Sequence, residues 1–203
     1  MVCHCPAGFP TDTYAEFDRI CESELRTPIA ADHIINQSKF CANIPKGYLL
    51  NDSEDWVTED EILLPINKKS GVYHLWYPEM LWCLEHNVWR LKCAYVGKGQ
   101  GHLRAKDHLK KKYPETAHFQ MTFYACANRI AKYLEQLFLD SYKFDLNSAE
   151  NDKLKGSLYA YWSEPRTKYG TETERLADFE AMQEKSGRKI VPKVSKSKQA
   201  PTN

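Results

Sequence analysis

At 203 residues the chain is long enough to bury one proper core with an appendage. No apolar run approaches the roughly 18–20 residues that a membrane span needs, and the N-terminus lacks the basic and apolar regions of a secretory signal. A net charge of +1 neither favours nor excludes a polyanionic partner, so its distribution along the chain carries the information. Seven cysteines without a secretory signal imply reduced thiols, in a cytoplasmic or nucleoid-associated protein.

The first segment, residues 1–69, reads as acidic and mainly helical. Residues 1–64 hold twelve acids against four bases, a balance of −8. Thr13 and Glu16 predict a capping box for a helix over 12–26, where Tyr14, Phe17, Cys21 and Leu25 recur at helical spacing. Thr27-Pro28 predicts a second helix start, with Ile29, Ala30, Ile34 and Ile35 as its apolar residues. Residues 36–52 are less regular, with Pro45 and Gly47 marking turns, and 53–64 is an acidic helical stretch ending at Pro65. About 64 residues make a marginal independent core, so this segment is expected to pack on the later part of the chain. Its acidity admits two readings. One is the ordinary solvated face of helices; the other is a cover over a basic surface, displaced by a regulatory partner. Cys3, Cys5, Cys21, Cys41 and His33 match none of the usual paired zinc-ligand spacings.

Residues 71–77 are rich in aromatic and branched side chains and predict a strand. Residues 78–90, with Trp82, Leu84, Val88 and Trp89, are more than a simple hairpin needs. They read as a short helix closing the core, with a base-stacking wedge as the alternative. Residues 91–97 predict a second strand. Gly97, Gly99 and Gly101 then predict a tight turn whose amides face an anion. A helix over 103–113 puts Arg104 and His108 four residues apart on one face. Within 96–113, Lys98, Arg104, Lys106, Lys110, Lys111 and Lys112 stand against Asp107 alone, a local excess of +5. That excess fits a phosphate backbone, or a solvated helix face. Residues 119–126 alternate as a third strand, and Asn128 is placed to cap a helix through Tyr142. Glu135 in that helix has Ala131, Lys132, Phe138 and Leu139 three and four positions away. A carboxylate bordering an apolar stripe is costly unless a divalent cation, or a base such as Lys132, compensates it. Beyond, 158–162 is a short strand or loop, and Thr171 with Glu174 opens a helix to about residue 185. Residues 186–203 read as a flexible basic tail.

Gly71-Val72-Tyr73, Tyr95-Val96-Gly97, Arg104 with His108, then Glu135 and Asn147 together resemble the signature of the GIY-YIG endonucleases. The resemblance covers about residues 70–148. It implies phosphodiester hydrolysis, with Tyr73 activating water and Tyr95 beside the attacked phosphate. A phenol of ordinary pKa near 10 is a poor base at neutral pH, so Lys98 or a metal would lower it, or His108 would take its proton. Arg104 would stabilise the phosphate charge, and Glu135 would hold Mg²⁺ (or Mn²⁺) on the leaving-group side. Asn147 would fix local geometry. Two departures stand out: the triplet tyrosines are 22 residues apart, and Phe144 stands where many members have proline.

The reading is an α/β (α+β) protein with a small mixed, mainly antiparallel three-stranded sheet flanked by helices. Residues 1–69 form the N-terminal segment, 70–148 the nuclease-like core, 149–185 its extension and 186–203 the tail. The expected function is a metal-dependent DNA endonuclease, with Lys98, Lys106, Lys110, Lys111 and Lys112 as nucleic-acid contacts. The alternatives are a non-catalytic nucleic-acid-binding module and an interaction protein using the acidic segment. Besides DNA, the partners this allows are a second copy of the chain and a regulatory protein.

Overall fold

Alternation along one strand explains the architecture. In β4 (Ser70–Cys83), Val72 and Trp76 point to one side while Tyr73 and Leu75 point to the other, and all four are buried. A strand apolar on both faces must be covered on both, which requires helices above and below it. The computed structural model describes residues 12–45, 48–50, 56–83, 85–111, 118–147 and 155–162. The expected helix over 171–185 and the basic tail lie outside the described residues.

In chain order the elements are α1 (Ala15–Glu24), α2 (Ala31–Ile35), β1 (Phe40–Pro45), β2 (Tyr48–Leu50), β3 (Trp56–Thr58) and α3 (Glu59–Leu63). After β4 come β5 (Val88–Gln100), α4 (Gly101–Lys111), β6 (His118–Ala125), α5 (Asn128–Ser141) and β7 (Tyr159–Trp162). The main sheet runs β1-β6-β4-β5-β7 and every strand pairing in it is antiparallel. The fold is therefore the expected mixed α and β type, with five strands in the main sheet instead of three and β2 and β3 paired in a separate two-stranded sheet. The two extra strands lie at the edges: β7 falls in the stretch 158–162 expected as a short strand or loop, and β1 is defined by its pairing with β6.

One layer packs α1, α2 and α5 on the sheet through Phe17, Ile34, Leu134 and Phe138 against Val72, Trp76 and Val96. The other packs α3 and α4 through Ile62, Leu63 and Ala105 against Tyr73, Leu75, Met121 and Phe123. The N-terminal segment thus packs on the later part as expected, and it enters the sheet as well: β1 pairs β6 from Phe40 opposite Phe123 to Pro45 opposite His118. Hydrogen bonds at the chain's far end tie it further. Tyr14 Oη donates to the Tyr159 carbonyl at 3.2 Å, Tyr142 Oη to the Thr13 carbonyl at 2.8 Å, and Trp162 Nε1 to Asn36 Oδ1 at 2.9 Å.

Several local expectations change: α2 begins at Ala31 and not at Thr27-Pro28, and the described part of 53–64 opens as β3 before α3. Residues 78–90 do not form a helix: the β4–β5 ladder continues to Cys83 opposite Val88, and Asn87 takes the positive φ of 53° that the tight turn needs. The hairpin is long, with irregularities in its ladder between Leu75 and Trp76 and between Pro78 and Trp82. Residues 36–52, expected to be irregular, contain β1 and β2. The capping box at Thr13 and Glu16 is absent: Glu16 pairs with Arg19, and Tyr14 stands at the N-cap after a 3₁₀ turn. The box occurs at Thr58 and Glu61, opening α3. Finally, Asn128 begins α5 and Ala127, not Asn128, is its cap.

Candidate active site

Tyr73 is set by the register of the two central strands. It lies opposite Gly97, where a Cβ would stand 2.5 Å from the Tyr73 hydroxyl, so only glycine lets the ring lie there. Two positions on, Gly99 has a φ of +119°, which ends β5 and turns the chain into α4 at Gly101. α4 then runs back across the sheet and brings His108 over Tyr73. The Tyr73 hydroxyl and His108 Nε2 are 2.8 Å apart, both side chains buried. Tyr95 completes the group: its ring is 6.0 Å from Tyr73, stacked, and 4.5 Å from His108, tilted.

Burial, acting first, pushes the Tyr73 phenol far above its ordinary range; the neighbouring Tyr95 adds to the rise and the Arg104 charge opposes it. Tyr95 is also raised, again chiefly by burial, with Arg104 and Lys98 opposing. Both phenols therefore hold their protons at neutral pH, and the Tyr73 hydroxyl shares a hydrogen bond with His108 Nε2 whose direction follows the imidazole tautomer. Arg104 opposes the rise at Tyr73, but desolvation outweighs it.

Arg104 is exposed on α4, one turn before His108, and its charge acts on both phenols. Glu135 approaches from α5, and its carboxylate also acts on both. Its side chain is 17% exposed and forms an ion pair with Lys98 of β5. The base compensating this carboxylate is therefore Lys98, not Lys132. Asn147 grips β5 from the open side: its Oδ1 accepts from the Val96 amide at 3.1 Å and its Nδ2 donates to the Val96 carbonyl at 2.9 Å. The adjacent Leu146 amide donates to the Ala94 carbonyl at 2.9 Å, so the chain here extends the sheet edge that β7 leaves uncovered. Asn147 holds the strand carrying Tyr95 and Gly97 in place, as expected of a positioning residue.

Tyr73, Tyr95, Arg104, His108 and Glu135 thus converge at one end of β5, although 62 residues separate the first from the last. The lysines do not gather in the same way. Lys106 pairs with Asp60 and, at 3.9 Å, with Glu59, pinning α3 to α4. Lys111 lies 3.8 Å from Asp107 on an exposed face. The Lys110 side chain and all of Lys112 lie outside the described residues.

Among the described residues no three His, Cys, Asp or Glu side chains gather as a metal-binding set. A lone carboxylate suits a hard cation that keeps most of its water or takes phosphate oxygens, which is the habit of Mg²⁺. Glu135 fits that role, with Lys98 as the counter-charge such a cation would replace. The cysteines give no zinc centre among the described residues: Cys21 and Cys41 are buried, and Cys21 lies 3.6 Å from the Ile29 carbonyl. His33 Nδ1 is engaged by Gln37 at 3.1 Å. No described helix is long and apolar enough to cross a membrane. No family model matches the chain, and neither a curated protein nor a solved structure proves similar to it.

Proposed function

We propose that the protein is an endonuclease of the GIY-YIG type that hydrolyses DNA phosphodiester bonds. The convergence of two phenols, an imidazole, a guanidinium and a carboxylate at the end of β5 carries this reading. The attacking water loses a proton to the Tyr73 oxygen as the Tyr73 proton passes to His108 Nε2, so no free phenolate is required. The water oxygen bonds to phosphorus, the bond to the departing sugar oxygen breaks, and that oxygen takes a proton from solvent. Arg104, exposed and beside both phenols, binds the non-bridging oxygens and offsets their growing charge. Glu135 would hold Mg²⁺, which when bound acts as a Lewis acid on the phosphate. Tyr95 lines the place where the phosphate sits, and Asn147 keeps its strand in position.

The Lys98–Glu135 ion pair favours a second reading, in which the carboxylate is structural and the protein binds nucleic acid without cutting it. Plasmid nicking separates the two. With Mg²⁺ present, the intact chain is expected to nick supercoiled DNA, and Glu135→Ala to lose nicking while keeping DNA retention at low salt. Retention without nicking by the intact chain would leave the binding reading alone. Absence of both would remove both.

A further inference from the structure

A groove of about 410 Å³ opens at the same end of the sheet, between α2, the start of β4 and the end of β6. Its wall includes His33, Lys39, Lys69, Phe40, Phe123 and Tyr124, and no acidic residue lines it. Lys39 and Lys69 are exposed, and neither forms an ion pair among the described residues. The one carboxylate nearby in sequence, Asp32, is held by Asn36 Nδ2 at 2.8 Å and Gln37 Nε2 at 2.9 Å. Gln37 in turn holds His33 Nδ1 at 3.1 Å, so a hydrogen-bond chain orients the imidazole edge-on to Tyr124, ring centroids 5.5 Å apart. Two unopposed ammonium groups beside a fixed aromatic pair make a surface for a ligand that is both anionic and flat-ringed.

The groove's position identifies that ligand. Gly99 pairs with Gly71 and Gly71 with Ala125, so the groove wall at Ala125 lies two strand spacings from the end of β5. Two spacings are roughly 10 Å. The Tyr124–His33 pair lies on the α2 side of the sheet and the Tyr73–His108 pair on the α4 side, so a strand reaching both passes round this end of the sheet. Gly101, at the start of α4, joins the two places: a Cβ there would meet Phe123 and Ile66, both of which line the groove.

We infer that this groove is a second subsite, which holds a nucleotide of the substrate strand a few positions from the cleaved bond. Lys39 and Lys69 bind its phosphates, and Tyr124 with His33 faces its base or sugar. The inference rests on the endonuclease reading for the identity of the strand. It also makes the N-terminal segment part of the substrate surface, since His33 and Lys39 come from there.

The test uses the full chain and a fluorescent duplex containing a preferred nicking position, or random-sequence duplex if nicking shows none. Affinity is measured in EDTA across a salt series, for the wild type and for Lys39→Ala/Lys69→Ala. A Lys132→Ala variant, altered on an exposed face away from the groove, serves as the control. The expected result is roughly three- to tenfold weaker binding by the groove variant, with a slope of log affinity against log salt shallower by nearly 2. Nicking by the wild type with Mg²⁺ is measured on the same duplex. Wild-type binding with the same affinity and slope in the groove variant would overturn the subsite and leave the endonuclease reading standing. Groove-dependent binding with no nicking by the wild type would overturn the endonuclease reading and leave a nucleotide-binding groove. No binding by the wild type would overturn both.

Discussion

Among the described residues, two histidines are buried at the sheet, one on each side of it. His74, on β4, faces α5 between Trp76 and Phe138, ring centroids 5.6 and 4.6 Å away, and its Nε2 has no hydrogen-bond partner. His108, on α4, is as well buried but meets the Tyr73 hydroxyl at 2.8 Å. Burial is therefore not what distinguishes the candidate site. On the α5 side an imidazole is used as an aromatic filler held neutral, its pKa depressed to about 3 by desolvation. On the α4 side the same kind of ring has a polar partner, with a guanidinium within electrostatic range of that partner, and this is the place where the proposed proton transfer would occur. The apolar layer is built for packing, and the layer carrying α4 combines packing with an opening at its rim.

The most severe way to break this contrast is to remove the partner of one ring. His108→Gln should lower the nicking rate by about 10²- to 10⁴-fold, while its thermal midpoint stays near that of wild type. A variant that nicks at the normal rate would dismiss the relay. The next test works on the other ring and concerns pH. Unfolded, His74 has an ordinary pKa of 6.5, against about 3 when folded, so between these values the unfolded chain takes up a proton that the folded one refuses. Stability should accordingly fall as pH drops below about 6.5, by up to about 1.4 kcal/mol per pH unit, until protonation of the folded state near pH 3. Urea unfolding at roughly pH 7, 6, 5 and 4.5 checks this, with His74→Leu expected to lose that part of the slope. Equal slopes in both proteins would mean that carboxylates alone govern acid unfolding.

A smaller effect is expected at Gly97, on the site's side of the sheet. Gly97→Ala drives a methyl group into the Tyr73 ring and should cost about 1–3 kcal/mol, with nicking reduced as Tyr73 moves from His108. A stable variant with normal activity would show that the approach of strand and ring is not needed. Least of all, Lys106→Ala removes a partly exposed cation shared between Glu59 and Asp60, and should cost under about 1 kcal/mol. DNA affinity should barely change, because this lysine serves α3. A marked loss of affinity would return it to the nucleic-acid surface.

How much of this is visible in the residues depends on whether a signal is local. The α4 and α5 helices and the three central strands come from apolar spacing and glycine punctuation; α4, α5 and β6 lie within a few residues of expectation, while β4 and β5 run on into the stretch expected as a helix. Arg104 and His108 on one face need only the helical repeat. β1 escapes a reading of pattern because Phe40, Ala42 and Ile44 form a run as short as many loops, and only β6 beside it makes it a strand. The long hairpin escapes it for the opposite reason: its many aromatics suggest a closed core element. Lys39, Lys69 and His33 stand out in no motif, since they meet only where α2, β4 and β6 end together.

The sequence by itself settled the order of the central elements and singled out the polar groups that gather at the end of β5. The order of the elements is a property of spacing along one chain, which periodicity records directly; the polar groups came from the resemblance of their order to the GIY-YIG signature. Which groups touch was left to tertiary structure: Tyr73 with His108, Glu135 with Lys98, Lys106 with α3, and Asn147 with Val96. Each such pair joins residues dozens of positions apart, and the same charge can be satisfied by any of several partners. Only the packing of two helical layers on one sheet selects among them.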